Sequence, residues 1–289
     1  MVKRTYKLSG KKLKRTKFRK GKGTRRTIKM RGGFTIPKIV WAYWDSVEIP
    51  ADVQPFFDRR KRILTGWEHR ILNKDTVHEY VDKASFPKGL EKLKIQHQVD
   101  WIRLALLEKH GGCWMDARII VNKADELESI YKEAMDVKPE MVGFYTEKFT
   151  KDKKPESYIE NFFIMAPAKS KTIELWKKEL ELSIQMTQLE YKKHVFKTVN
   201  VDNIYKPDDN ETYLTMHACL QSVLNSHKPK LILKRAEDTL FYLHEDSQWN
   251  GLFITQRLEN NDPIARGIPF IKLTNGEHGK FDRYFNDTS

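Results

Sequence analysis

Residues 99–121, VDWIRLALLEKHGGCWMDARIIV, constrain the fold more than any other stretch of the chain. Val99, Ile102, Leu104, Ala105, Leu106 and Leu107 make a strongly apolar helical segment. Two glycines follow, and Gly111 falls where a C-terminal helix cap belongs. Cys113, Trp114 and Met115 form a short apolar run that stops at Asp116, and Ile119, Ile120 and Val121 resume it. The pattern predicts a helix, an abrupt stop, a buried strand, a break and a second strand. A carboxylate at the exit of a buried strand stands where α/β sheets place binding groups.

The flanks continue the alternation. TIPKIVWAYWD, residues 35–45, predicts a strand from Ile39, Val40, Trp41, Tyr43 and Trp44, with Asp45 at its exit. A second strand is expected at His69–Leu72, followed by a helix capped by Asn73 or Asp75. Further strands are expected at 141–146, 161–167, 230–234, 240–244 and 269–274. Helices are expected at 169–191 and at 210–227, the latter capped by Asn210. Strands alternating with helices predict an α/β sheet.

Charge separates the chain into two parts. Of its 53 Lys and Arg, 15 fall in residues 1–33, which hold no Asp or Glu. The remainder carries 38 bases against 39 acids, so all the excess charge lies in the N-terminal segment. Residues 1–33 lack apolar periodicity and are expected to be disordered. A basic tail of this kind contacts nucleic acid, anionic lipid or acidic proteins, or serves as a solubilising or targeting segment. Residues 34–289 are expected to form one domain. No run of about 18 apolar residues marks a transmembrane helix, and no apolar signal-peptide core is present. The expected location is cytoplasmic or peripheral to a membrane. Cys113 and Cys219 match no metal spacing and are expected to be buried free thiols.

Asp100, Arg103 and Asp116 carry the chemistry most plainly. Asp100 and Arg103 are three residues apart and share one face of an otherwise apolar helix. Singly, they read as an intrahelical ion pair and Asp116 as a turn aspartate. Their joint spacing says more. VDWIRLALLEKHGGCWMDARIIV resembles the signature of the capsular polysaccharide synthesis family. It also resembles the related DXD-containing sugar transferases that include initiating α-1,6-mannosyltransferases. The shared positions are Asp100, Arg103, Gly111, Gly112 and Asp116. IPKIVWAYWDS is similar to the family's opening strand, YIENFFIMAPAKSKTIELW to its central segment and PFIKLT to its closing strand.

The resemblance implies a single glycosyltransferase A-type domain, a nucleotide-binding-like mixed sheet flanked by helices. It implies transfer of a sugar from a UDP- or GDP-linked donor to a glycan or other hydroxyl acceptor, with retention of configuration and divalent-metal assistance. Mn²⁺ or Mg²⁺ neutralises a leaving diphosphate and prefers oxygen ligands. Asp116 would bridge to that metal; His278, four residues after Thr274, is either a further ligand or a solvated side chain. Asp100 would bind the ribose or hold Arg103, and Arg103 would face the donor or orient Asp116. Trp41 and Tyr43 would either stack on the base or simply pack in the core, Asn161 would contact the donor sugar, Lys272 would steady the diphosphate, and Thr274 would join the donor-binding set. Asp208, Asp209 and Glu211 stand where an acceptor-side segment is expected; they equally suit capping and dipole pairing at the start of the next helix. The chain departs from the strict Asp-X-Asp motif: it reads Asp116-Ala117-Arg118. Either one carboxylate suffices for the metal, or Arg118 itself meets the phosphate charge. A non-catalytic sugar- or partner-binding relative, and a nucleic-acid binder acting through the tail, are the competing readings.

Overall fold

Gly111 and Gly112 reverse the chain at the centre of the molecule. In the computed structural model their φ angles are 69° and 104°, a region that glycine enters without steric cost. The structure describes residues 33–286 except 151, 153, 196, 198 and 200–213. The chain divides after Gly33, and the elements all lie in the second unit, Phe34–Ser289. The basic segment, with its expected lipid or nucleic-acid contacts through residues 1–31, lies outside the described residues. So do Asp208, Asp209, Glu211 and Asn210.

In chain order the elements are β1 (Ile39–Tyr43), α1 (Gln54–Ile63), β2 (Glu68–Leu72), α2 (Ile95–His110), β3 (Gly112–Met115), β4 (Ile119–Val121), α3 (Asp125–Val137), β5 (Met141–Tyr145) and β6 (Ile159–Ala166). There follow α4 (Lys171–Gln185), α5 (Gln188–Val195), α6 (Thr215–Ser226), β7 (Leu231–Arg235), α7 (Tyr242–Asp246), α8 (Gly251–Glu259), α9 (Pro263–Gly267), β8 (Phe270–Lys272) and α10 (Asp282–Asn286). Six strands form one sheet in the order β2-β1-β3-β6-β5-β7, and β4 pairs with β8 in a second. The large sheet is mixed: β1 runs parallel to β2 and β3, while β6 is antiparallel to both β3 and β5. The expected α/β class holds.

Side-chain alternation along the strands builds a core on each face. Trp41 and Trp114 pack with Trp101, Leu104 and Leu107 of α2, Trp176 of α4 and Leu220 of α6. Val40, Cys113 and Met115 point the other way, toward Leu127 and Ile130 of α3. Both cysteines are buried free thiols. No helix among the described residues is long and apolar enough to cross a membrane.

Three expected elements differ. Where a helix was expected after β2 there is a 3-10 turn, Val77–Glu79, and two more follow at Lys83–Ser85 and Leu90–Lys92 before α2. Asn73 accepts from the backbone N–H groups of Asp75 and Thr76 at 2.9 and 3.0 Å, satisfying them locally without a helix. Residues 240–244 hold no strand: Leu240, Leu243 and His244 are buried at helical spacing, and α7 begins at Tyr242. The long helix expected at 169–191 breaks where Met186 turns extended, separating α4 from α5.

Candidate active site

The site forms where α2 and β3 return past each other. From Arg103 to Gly111 the helix descends about 12 Å at its usual rise. From Gly112 to Asp116 the strand climbs back about 13 Å. Arg103 and Asp116 therefore meet at one level. Arg103 Nη2 donates to Asp116 Oδ1 at 3.3 Å, and Nη1 lies 3.3 Å from Asp100 Oδ1. The guanidinium is buried and stacks over Trp114, 4.8 Å from the ring centroid.

Pairing brings the other groups in. β6 is antiparallel to β3, so the start of β6 lies beside the end of β3. The Asp116 N–H donates to the Phe162 carbonyl at 2.9 Å. Asn161 thereby reaches Asp100, donating to Oδ1 at 3.2 Å. β8 pairs with β4 so that Lys272 stands opposite Ile119. Lys272 Nζ lies 3.7 Å from Asp116 Oδ2. Burial lowers the Lys272 pKa, and Asp116 opposes that shift. Asp116 is the partly exposed member of this cluster: its side chain keeps 27% of its surface, against 5% for Arg103.

The cluster opens into a cavity of about 1580 Å³, lined by Tyr43, Asp116, Arg118, Asn161, Lys272 and Thr274 among others. Tyr43 donates to Asp45 at 2.9 Å, and burial followed by that carboxylate pushes its phenol pKa up. Arg118 does not point free into the cavity. It donates to the carbonyl of Thr274 at 2.8 Å and to that of Glu277. It thus ties the 274–277 turn to the end of β3. Burial lowers the Arg118 pKa, against opposing contributions from Glu277 and Asp52. The Thr274 hydroxyl donates to Glu277 at 2.8 Å. Although burial acts to raise the Glu277 pKa, the imidazole of His244 beside it and hydrogen bonds from Thr274 outweigh it and hold it at about 2.

Trp41 belongs to the core. It is fully buried, its indole N–H donates to the Gly111 carbonyl at 2.8 Å, and its ring meets Tyr80 edge-on. It secures the helix stop and does not line the cavity. His278 lies at the exposed rim. Among the described residues no group of three or more His, Cys, Asp or Glu could hold a metal ion. Asp116 Oδ1 is already occupied by Arg103 and by the Trp114 indole N–H, at 3.3 and 2.9 Å. Oδ2 faces an ammonium group. Among the described residues the donor set does not by itself complete a Mn²⁺ or Mg²⁺ site.

Two contributions were not read from the sequence. Trp114 looked purely apolar, yet its indole N–H fixes Asp116. Arg60 is 1% exposed and bridges the strand break, donating to the carbonyls of Met115, Asp116, Ala117 and Ile119. Burial lowers its pKa to about 10, so it stays charged at neutral pH. A signal existed: Arg60 falls three and four residues after Phe57 and Phe56, on the apolar face of α1.

Fold and site together define a mixed α/β domain whose strand ends hold an anchored carboxylate among cations at an open cavity. The capsular polysaccharide synthesis protein family matches residues 7–199. The chain belongs to that family. Lys272 and Thr274 lie beyond the matched residues. The chain is 29% identical over 143 residues to "O-glycosyltransferase braB" of Annulohypoxylon truncatum, covering 42% of this chain and 32% of the relative. It thus spans about a third of that relative's length. Among solved structures it is similar to "crystal structure of a glycosyltransferase involved in the glycosylation of the major capsid of PBCV-1", at TM-score 0.42 and 10% identity. That similarity covers 85% of this chain and 97% of the other. It is also similar to "PaToxG Glycosyltransferase", at TM-score 0.40 and 14% identity, covering 86% and 84% respectively.

Proposed function

We propose that this protein is a glycosyltransferase that moves a hexosyl group from a UDP- or GDP-linked donor to a hydroxyl of a glycan. The observation that carries the reading is the Asp100–Arg103–Asp116–Lys272 chain of contacts at the mouth of the cavity. Arg103 and the Trp114 indole hold Asp116 Oδ1, Lys272 stands beside Oδ2, and all four members of the chain line the cavity. A nucleoside diphosphate leaves with negative charge that must be met as the glycosidic bond breaks. Lys272, beside Asp116 and short of water, is the cation placed to meet it. Asp116 orients Lys272 and faces the donor sugar. Tyr43, at the end of β1, supplies a flat ring beside the nucleotide. Arg118 shapes the wall that Thr274 contributes.

Family membership, together with the name of the Annulohypoxylon truncatum relative, supports the reaction class. A bound divalent ion would supply Lewis-acid assistance to the leaving diphosphate, alongside the charge of Lys272. Retention or inversion follows from the anomer formed and is read by NMR of the product.

The test is calorimetric titration with UDP, GDP and their hexose conjugates, joined to nucleotide release with and without EDTA. The expected result is saturable binding of one nucleotide series and release that Asp116→Asn abolishes. No binding across the series would sink the proposal. Binding without release in any condition would instead assign the chain as a non-catalytic, sugar-nucleotide-binding relative.

A further inference from the structure

A second pair of ionisable groups lines the same cavity and makes no hydrogen bond to the cluster described above, although the Glu160 charge reaches Lys272. His217, on α6, is 6% exposed, and neither ring nitrogen has a hydrogen-bond partner among the described residues. Its ring stacks on Tyr158, with centroids 4.8 Å apart and planes 30° from parallel. Its Nε2 lies 3.8 Å from Glu160 Oε2. The Thr146 hydroxyl donates to the other oxygen of Glu160 and fixes that carboxylate. Glu160 is 7% exposed and also lines the cavity.

Buried polar atoms are normally paired, and an imidazole with both nitrogens unsatisfied carries an uncompensated desolvation cost. A stacked ring with a fixed carboxylate at one nitrogen is held in one orientation. That is how a base is prepared for a hydroxyl that arrives with the substrate. The location agrees. Met216, the residue before His217, places its sulfur 3.7 Å from Arg103 Nη1 and 3.3 Å from Asn161 Nδ2. Glu160 directly precedes Asn161 in β6. The pair is therefore one residue removed, on two separate elements, from the cluster that faces the donor.

We propose that His217 and Glu160 form the acceptor-activating pair of this site, an inference that rests on the glycosyltransferase reading. The acceptor is a hydroxyl compound. Its O–H proton passes to the imidazole of His217, and the Glu160 carboxylate stabilises the imidazolium. The acceptor oxygen bonds to the anomeric carbon of the donor. The bond from that carbon to the phosphate oxygen breaks, and its electron pair leaves with the nucleoside diphosphate. Water in place of the acceptor gives donor hydrolysis by the same proton transfer.

The experiment compares the full chain with His217→Ala, His217→Asn and Glu160→Gln. UDP and GDP binding is measured by calorimetry. Nucleotide release from UDP- and GDP-hexoses is measured with water or methyl hexosides as acceptor. The expected result is nucleotide affinity within threefold of the wild type. Release should fall by about 100-fold in both His217 variants, the usual lower range for loss of a general base. Exogenous imidazole should restore His217→Ala by at least tenfold, which a merely structural histidine would not allow. Glu160→Gln, which retains a partner for Thr146, should lower kcat at least tenfold with little change in donor KM. The proposal is overturned if His217→Ala releases nucleotide within threefold of the wild type. It is overturned as well if binding and release fall together and imidazole restores neither. Should His217→Ala not fold, an unchanged kcat in Glu160→Gln overturns it. A wild-type chain that binds nucleotide but turns over no donor removes the pair's role while leaving the binding site standing. A wild-type chain that binds no nucleotide removes both readings.

Discussion

Arg103 and Asp116, thirteen residues apart in the chain, are joined by a 3.3 Å contact that links the apolar face of α2 to the end of β3. The same guanidinium holds Asp100 at 3.3 Å. One planar cation thus serves two carboxylates from fixed directions, a task that a lysine ammonium cannot reproduce. Arg103→Lys is expected to fold and to lose nucleotide release by about 100-fold. Arg103→Ala leaves Asp100 buried without its cation and should lower stability by about 3–5 kcal/mol. Urea denaturation beside the release assay checks both outcomes.

Lys272 is expected to carry the neutralisation of the leaving group. Lys272→Met keeps most of the buried stem and removes the charge. Nucleotide diphosphate affinity should fall by roughly 10- to 100-fold, as for loss of a charge-assisted contact in a sheltered site. Nucleoside affinity should change little. EDTA should leave wild-type diphosphate binding within about twofold. Equal losses for nucleoside and diphosphate in Lys272→Met would remove Lys272 from the phosphate site.

Arg118 is expected to act through the turn it holds. It reaches two carbonyls, those of Thr274 and Glu277. Arg118→Lys can satisfy one and not both in that geometry. Hydrogen exchange at 274–279 should quicken by about tenfold, with protection in β3 unchanged. Unaltered exchange in that segment would show that the turn stands without its tie.

Stability should depend on pH through Glu277. Its folded pKa is about 2, depressed from an ordinary value of 4.5 by His244 and Thr274. The unfolded state therefore binds more protons between these values. The contribution is fully present above pH 4.5 and is lost as pH falls through about 2. The wild-type melting temperature should drop across that window, and Glu277→Gln should flatten the drop.

Gly112 is a backbone requirement. Its φ is 104°, and an added Cβ would stand 2.8 Å from the Ile39 carbonyl oxygen and 3.0 Å from the Trp41 indole nitrogen. Gly112→Ala combines strain with a clash against β1, and should cost about 2 kcal/mol or more. A denaturant midpoint within error of the wild type would contradict this.

The sequence by itself determined the helix, the double-glycine stop and the strand ending in Asp116. Those follow from local rules: apolar spacing at helical period, the conformational freedom of glycine, and the brevity of a buried strand. It also placed Asp100 and Arg103 on one face, because three residues is nearly one turn. It did not determine what that face meets. The tertiary structure decided that Asn161 reaches Asp100, because β6 runs antiparallel to β3 and its register sets which residues stand side by side. It decided that Lys272 faces Asp116, through the pairing of β8 with β4 across more than a hundred residues. It moved Trp41 into the core and gave Arg118 to a turn, since a side chain's role depends on which carbonyls fold within its reach. It also drew His217 and Glu160 into one cavity from a helix and a strand that no periodicity connects. Local patterning specifies elements over a few residues. Function here depends on pairings across long loops, and only the folded packing fixes those.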